Sequence, residues 1–173
     1  MTRRVFVLSC LTMACSAPPI DPPLKRPPDF QSQAAAAGPA LFVRGTLEGE
    51  LLDVEVFGKE LGSIIGYAFR VSLDGLEPQE GTVLSADEAL GPASSGQVLY
   101  LKKTAQQSLL FAGARLGTKA EERIIDTETR LAHFSLRASA AAGQLTLVDT
   151  SVRRLNGEGV KLNVSGGKIG SAP

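Results

Sequence analysis

The sequence predicts an all-β fold: a single β-sandwich of jelly-roll type, with about eight or nine short strands and one short helix. Three observations carry this. Ile65, Tyr67, Phe69, Val71 and Leu73 alternate with Gly66, Ala68, Arg70 and Ser72, a run of strict period two that marks a strand with one buried face. Several other short apolar runs are separated by glycine or Asx turns. All 18 glycines lie at or beyond Gly38, so the turns belong to the later part of the chain.

The strands follow in order. Leu41–Val43 predicts a short edge strand. Leu52–Phe57 alternates apolar with acidic residues and stops at Gly58. The 65–73 run puts Tyr67 on its inward face and Ala68, Arg70 and Ser72 outward, and Asp74-Gly75 closes it as a turn. Gln97–Lys102, Ser108–Ala114, Leu131–Ala138, Gln144–Val148 and Val160–Val164 complete the set, and Asn156-Gly157 is a turn signal between apolar runs. Ser85–Leu90 alone reads as a helix: Ser85 is a cap, Glu88 stands at the capping-box position, and Pro92 bars extension.

The chain has 173 residues, with 18 basic and 18 acidic side chains. That balance argues against a nucleic-acid binder, and 43% hydrophobic residues are enough for a core. Residues 1–14 read as a leader. Arg3 and Arg4 precede an apolar run from Val5 to Ala14, which as a helix would rise only about 15 Å, half of a hydrocarbon core. Both cysteines, Cys10 and Cys15, fall within the first fifteen residues, so no disulfide or cysteine-based zinc site is expected in the body. Removing Arg3 and Arg4 with the leader leaves 16 basic against 18 acidic residues.

Residues 15–40 read as a Pro/Ala-rich tether. Six of the eleven residues from Pro18 to Pro28 are proline, which lacks a donor and holds φ fixed, so this stretch is expected to be extended. At about 3.1 Å per residue it spans roughly 34 Å. Gln31–Gly38 holds four consecutive alanines and reads as more linker or as a helical turn. The body is placed at 41–170.

Thr12-Met13-Ala14-Cys15 resembles the lipobox of bacterial lipoproteins, with Thr12 where that family usually has Leu. The resemblance implies cleavage before Cys15, acylation of Cys15, and export to a lipid-anchored place in the cell envelope; Ser16 in the next position implies the outer membrane. Val7-Leu8-Ser9-Cys10 is the alternative, with Cys10 as the acylated residue.

The order of motifs in the body resembles the cohesin domain, within the β-sandwich superfamily that also holds carbohydrate-binding modules of families 2 and 3. Val54-Glu55-Val56 followed by Ile65 to Asp74 resembles the opening of that domain, with Gly75 where the family usually has Pro. Leu109-Leu110-Phe111-Ala112-Gly113-Ala114 is similar to its central strand, and Leu131-Ala132-His133-Phe134-Ser135-Leu136 to its Leu-Ala-x-Phe strand. Val148-Asp149, Asn156-Gly157 and Gly166-Gly167-Lys168-Ile169 resemble its closing pair. The resemblance implies a non-catalytic domain for protein–protein recognition, with a dockerin-like partner met on one face of the sandwich.

Two alternatives stand beside it. A carbohydrate-binding module of the same superfamily needs a row of exposed Trp or Tyr to stack on sugar rings. The chain has no Trp and two Tyr, with Tyr67 pointing inward, so polysaccharide is disfavoured. A purely structural envelope lipoprotein needs no ligand at all. Candidate chemical groups are few. His133, the only histidine, is expected on the strand face opposite Phe134 and Leu136. Asp126, Glu128 and the Glu121-Glu122 pair suggest a calcium or acid–base site, but Arg123 and Arg130 interleave them and a surface loop is the simpler reading. Asn163-Val164-Ser165 matches a glycosylation sequon within a predicted strand. No nucleophile elbow, zincin motif or phosphate loop occurs. No catalytic residue, metal or cofactor is therefore assigned, and the residues that meet the partner are left unknown.

Overall fold

The computed structural model describes residues 28–79, 85–86, 89–92, 97–105, 107–116, 123–138 and 142–170. These form fourteen strands and no helix, more strands than the eight or nine expected. Strands are numbered along the chain. One layer is a six-stranded sheet ordered β1 (Asp29–Ser32), β14 (Gly167–Gly170), β12 (Gly143–Arg153), β5 (Gly66–Asp74), β9 (Ser108–Arg115), β8 (Val98–Ala105). The other is ordered β13 (Asn163–Val164), β2 (Ala40–Glu48), β3 (Leu51–Lys59), β11 (Thr129–Ala138), β6 (Leu76–Pro78), with β7 (Ser85–Ala86) also on β11. A small ribbon of β4 (Gly62–Ile64) and β10 (Arg123–Ile125) lies apart from both, and together they make the jelly-roll sandwich that the alternation predicts.

The inward set of β5 is the predicted one: Tyr67, Phe69, Val71 and Leu73 are buried. Period-two burial of this kind removes whole side chains from water, at about 25 cal/mol per Å² of apolar surface. An aromatic column ties the layers together. Tyr67 stacks on Phe69 at 6.0 Å, Phe69 on Phe111 at 5.5 Å, and Phe111 reaches Phe134 of the opposite sheet at 5.4 Å. A bulge in β11 lets both Leu131 and Ala132 face the core. The Leu131 carbonyl there accepts a 3.1 Å hydrogen bond from the buried Tyr67 hydroxyl.

Four expectations change. The described residues of Ser85–Leu90 are not helical: Ser85 and Ala86 pair antiparallel with His133 and Ala132 of β11, and residues 87–88 lie outside the described residues. Leu90 is buried, and its N–H donates to the Tyr100 hydroxyl while its carbonyl accepts from Arg115, so tertiary partners replace helical ones. The short strand at Leu41–Val43 is nine residues long and pairs with β3 throughout, through a two-residue turn in which Gly49 takes the left-handed conformation (φ 64). Of Val160–Val164 only Asn163–Val164 is strand; the Val160 N–H donates instead to the Val152 carbonyl. The body also begins before residue 41. β1 lies inside the stretch assigned to the tether, and Phe30 is part of the core.

Phe30 explains that early start. Its ring occupies a slot whose walls are glycine: an added Cβ would lie 2.6 Å from the ring at Gly45 and 2.2 Å from it at Gly167. β1 therefore joins one sheet by hydrogen bonds and the other by its aromatic plug. Cys10, Cys15, Ser16 and the prolines up to Pro27 lie outside the described residues.

Candidate functional site

The two outer faces of the sandwich differ in chemistry. On the β2–β3–β11 face the charges pair among themselves. Arg44 pairs with Glu128, Arg130 with Glu55 at 2.6 Å, and Arg137 with Glu50 at 2.8 Å. The Arg44 guanidinium also lies over the stacked Phe42 and Phe57 rings, 4.8 Å from the Phe57 centroid, and the Ser135 hydroxyl donates to Asp53. Glu50 holds the Arg137 guanidinium more firmly protonated than usual, by hydrogen bonding first and charge second.

The β12–β5–β9–β8 face carries an apolar patch among polar and charged residues. The ladders align Leu99–Ala114–Gly66–Arg153, Leu101–Ala112–Ala68–Ser151 and Lys103–Leu110–Arg70–Val148 as cross-strand rows. Leu99 and Leu101 are 58% and 51% exposed, and both sit on β8, the edge strand of this sheet. Inward neighbours such as Val98, Leu109 and Phe111 are buried, so the exposed leucines belong to the outer side and not to the core. The alanines keep the middle of the face shallow. One ion pair stands in it: Arg70 Nη2 lies 3.1 Å from Asp149.

The residues singled out from sequence separate in space. Ala68, Arg70 and Ser72 face outward, as expected, and lie on the β12–β5–β9–β8 face. His133 is half-buried on the other outer face, directly opposite Glu55, whose carboxylate is engaged by Arg130. Asp126 and Glu128 are exposed, and Glu128 serves Arg44. Glu121 and Glu122 lie outside the described residues. Among the described residues no three His, Cys, Asp or Glu gather as metal ligands. The Asn163 amide donates 2.8 Å to the Ala37 carbonyl. Tyr100 is half-buried and bonds Leu90 and Gly91 through its hydroxyl, so it offers no sugar platform. Leu99 and Leu101 went unremarked in the sequence. Their alternation with Val98 and Tyr100 signals a strand, yet both faces of that strand read as apolar.

The two outer faces of the sandwich thus differ, one laced with ion pairs and the other carrying exposed leucines among alanines. Its fold is the cohesin fold. A type II cohesin domain from the cellulosome of Acetivibrio cellulolyticus superposes with a TM-score of 0.60 at 13% identity, covering 77% of this chain and 95% of that one. A chain of a type I cohesin–dockerin complex from Clostridium thermocellum gives 0.60 at 11% identity, over 82% and 98%. A non-cellulosomal cohesin from the hyperthermophilic archaeon Archaeoglobus fulgidus gives 0.54 at 13%, over 76% and 89%. No protein-family model and no curated protein sequence matches the chain.

Proposed function

We propose that this chain is a non-catalytic envelope lipoprotein whose cohesin-like body recognises a protein partner of dockerin-like kind. The observation that carries the reading is the apolar patch on the β12–β5–β9–β8 face, with half-exposed Leu99 and Leu101 beside Ala112, Ala114 and Ala68. Its support from likeness is that structures sharing the fold include cohesin–dockerin complexes. Lipid on Cys15 holds the body at the membrane, and the proline tether gives it reach. Two acyl chains suffice for stable anchoring, at about 0.8 kcal/mol per buried CH₂.

Pull-down from a cell-envelope extract tests the recognition. The wild-type chain is expected to enrich a protein that Leu101→Asp/Ala112→Asp does not, while both proteins unfold at the same temperature. Equal recovery by both chains, or by neither, rejects this face. Fractionation tests the anchor: Cys15→Ala is expected to leave the membrane pellet, and its retention there would refute acylation at that site.

A further inference from the structure

Residues 29–39 join the sandwich as a separate ribbon. β1 sits at the rim of its sheet and pairs with β14, from Asp29 opposite Gly170 to Ser32 opposite Gly167. Past Ser32 the chain stays on the same partner segment. The Gln33 N–H donates to the Gly166 carbonyl at 3.0 Å, and the Gln33 side-chain oxygen accepts from the Gly166 N–H at 3.1 Å. The Ser165 hydroxyl donates to the Ala34 carbonyl at 3.2 Å. Asn163 donates to the Ala37 carbonyl from its carboxamide and to the Pro39 carbonyl from its backbone. One stretch of chain, 163–170, thus accompanies the ribbon from end to end.

Burial along the ribbon is concentrated at one point. Phe30 is the one buried residue between Pro28 and Pro39. Hydrogen bonds at exposed positions exchange with water at little net cost, whereas a phenyl ring leaving its slot returns apolar surface to water. The position of Phe30 matters as much as its burial. It stands second from the end at which the proline stretch arrives, so a pull along that stretch meets the Asp29–Gly170 pair and then the ring. Behind the ring lie the polar contacts of Gln33, Ala34 and Ala37, all three of them exposed. The sheets keep their own pairing without the ribbon: β14 is laddered to β12 and β2 to β3. Segments with few buried contacts open at lower free energy than the core they lie on.

We propose that residues 29–39 are a strap locked by Phe30, which opens as a unit ahead of the body and lengthens the tether under pull while the β12–β5–β9–β8 face stays folded. The source of the pull rests on the tether reading above. Eleven freed residues supply at most about 36–40 Å of chain, so the reach of the proline stretch is roughly doubled. The body then yields distance to a partner under load before it yields structure.

Optical tweezers on the full chain test this. The chain is made without export so that Cys15 keeps its thiol. One handle joins Cys15 in a Cys10→Ser background, and the other joins Lys103→Cys on the exposed strand β8. A first, reversible lengthening of at most about 40 Å is expected below the force that opens the body. Phe30→Ala is expected to lose that step or to show it at lower force, with the second event unmoved. Native-state hydrogen exchange reads the same opening without force: amides paired between β1 and β14 are expected to exchange at least about tenfold faster than those of β5. A single event in the wild-type chain overturns the strap, as do β1 amides that exchange no faster than those of β5. A first step that keeps its force in Phe30→Ala overturns Phe30 as its lock. These readings need neither lipid nor membrane, so their failure is distinct from failure of the anchor, which fractionation of Cys15→Ala detects.

Discussion

The glycine slot that receives Phe30 offers a sharp test of how the amino-terminal strand is held. Gly167→Ala would place a Cβ 2.2 Å from Phe30 Cζ, 2.7 Å from Cε1 and 3.0 Å from Cε2. Carbon atoms in contact sit about 3.5–4.0 Å apart, so more than an ångström must be found. The backbone cannot supply it, because β14 is hydrogen-bonded to β1 on one side and β12 on the other. The φ of Gly167 lies outside the left-handed region, so alanine adds no backbone strain and the effect is steric. The ring of Phe30, only 6% exposed, has to shift or leave. Overpacking costs about 1–3 kcal/mol, and complete loss of a buried Phe about 3–5 kcal/mol. We expect about 2–3 kcal/mol for Gly167→Ala. In a Phe30→Ala background the clash is gone, and the same change should cost less than about 0.5 kcal/mol. Equilibrium urea unfolding of the four proteins of this cycle, followed by circular dichroism, measures the coupling. Equal costs in both backgrounds would refute the plug and detach β1 from the core.

Other consequences are simpler. Tyr67→Phe keeps the aromatic column but strands the buried Leu131 carbonyl, so a loss of about 1–3 kcal/mol is expected in the same unfolding assay. Gly75→Ala meets both a positive φ of 65 and the Ala142 carbonyl oxygen at 3.0 Å, whereas Gly157→Ala meets positive φ in open space. Gly157→Ala should cost about 1 kcal/mol and Gly75→Ala measurably more, with the difference reporting the contact at the β5–β6 turn. Arg137 titrates higher in the folded chain, so its contribution is present below the guanidinium range and is lost only as pH rises through it. Glu50→Gln should therefore leave the stability–pH curve unchanged in shape through neutrality.

Much of the sandwich was readable residue by residue. Period two in the 65–73 run identifies a strand and its inward face at once, because side chains of successive residues must leave a pleated strand on opposite sides. The turns at Gly75 and Asn156-Gly157 follow from backbone freedom alone, and the latter is closed by Gly157 donating to the Arg154 carbonyl at 2.9 Å. Ser85–Leu90 was misread for a related reason. Its capping pattern is local, and the burial of Leu90 between Tyr100 and Arg115 is not. Phe30 gives no signal because it lies between a proline-rich and an alanine-rich stretch, and the glycines that make room for it stand further along the chain at Gly45 and Gly167.

The sequence by itself determined the all-β class, the inward face of each alternating strand, and a proline-rich stretch unable to enter a sheet interior. These are short-range consequences of φ/ψ sterics and side-chain period. Only the tertiary structure decided that Asp29–Ser32 belongs to the body, that Leu99 and Leu101 stand on an edge, and that Asp149 leaves the core at a bulge. Each depends on which strands become neighbours, and pairing is chosen by the whole core, through contacts between residues far apart in the chain. A strand's own residues say which side is apolar, but not whether anything covers it.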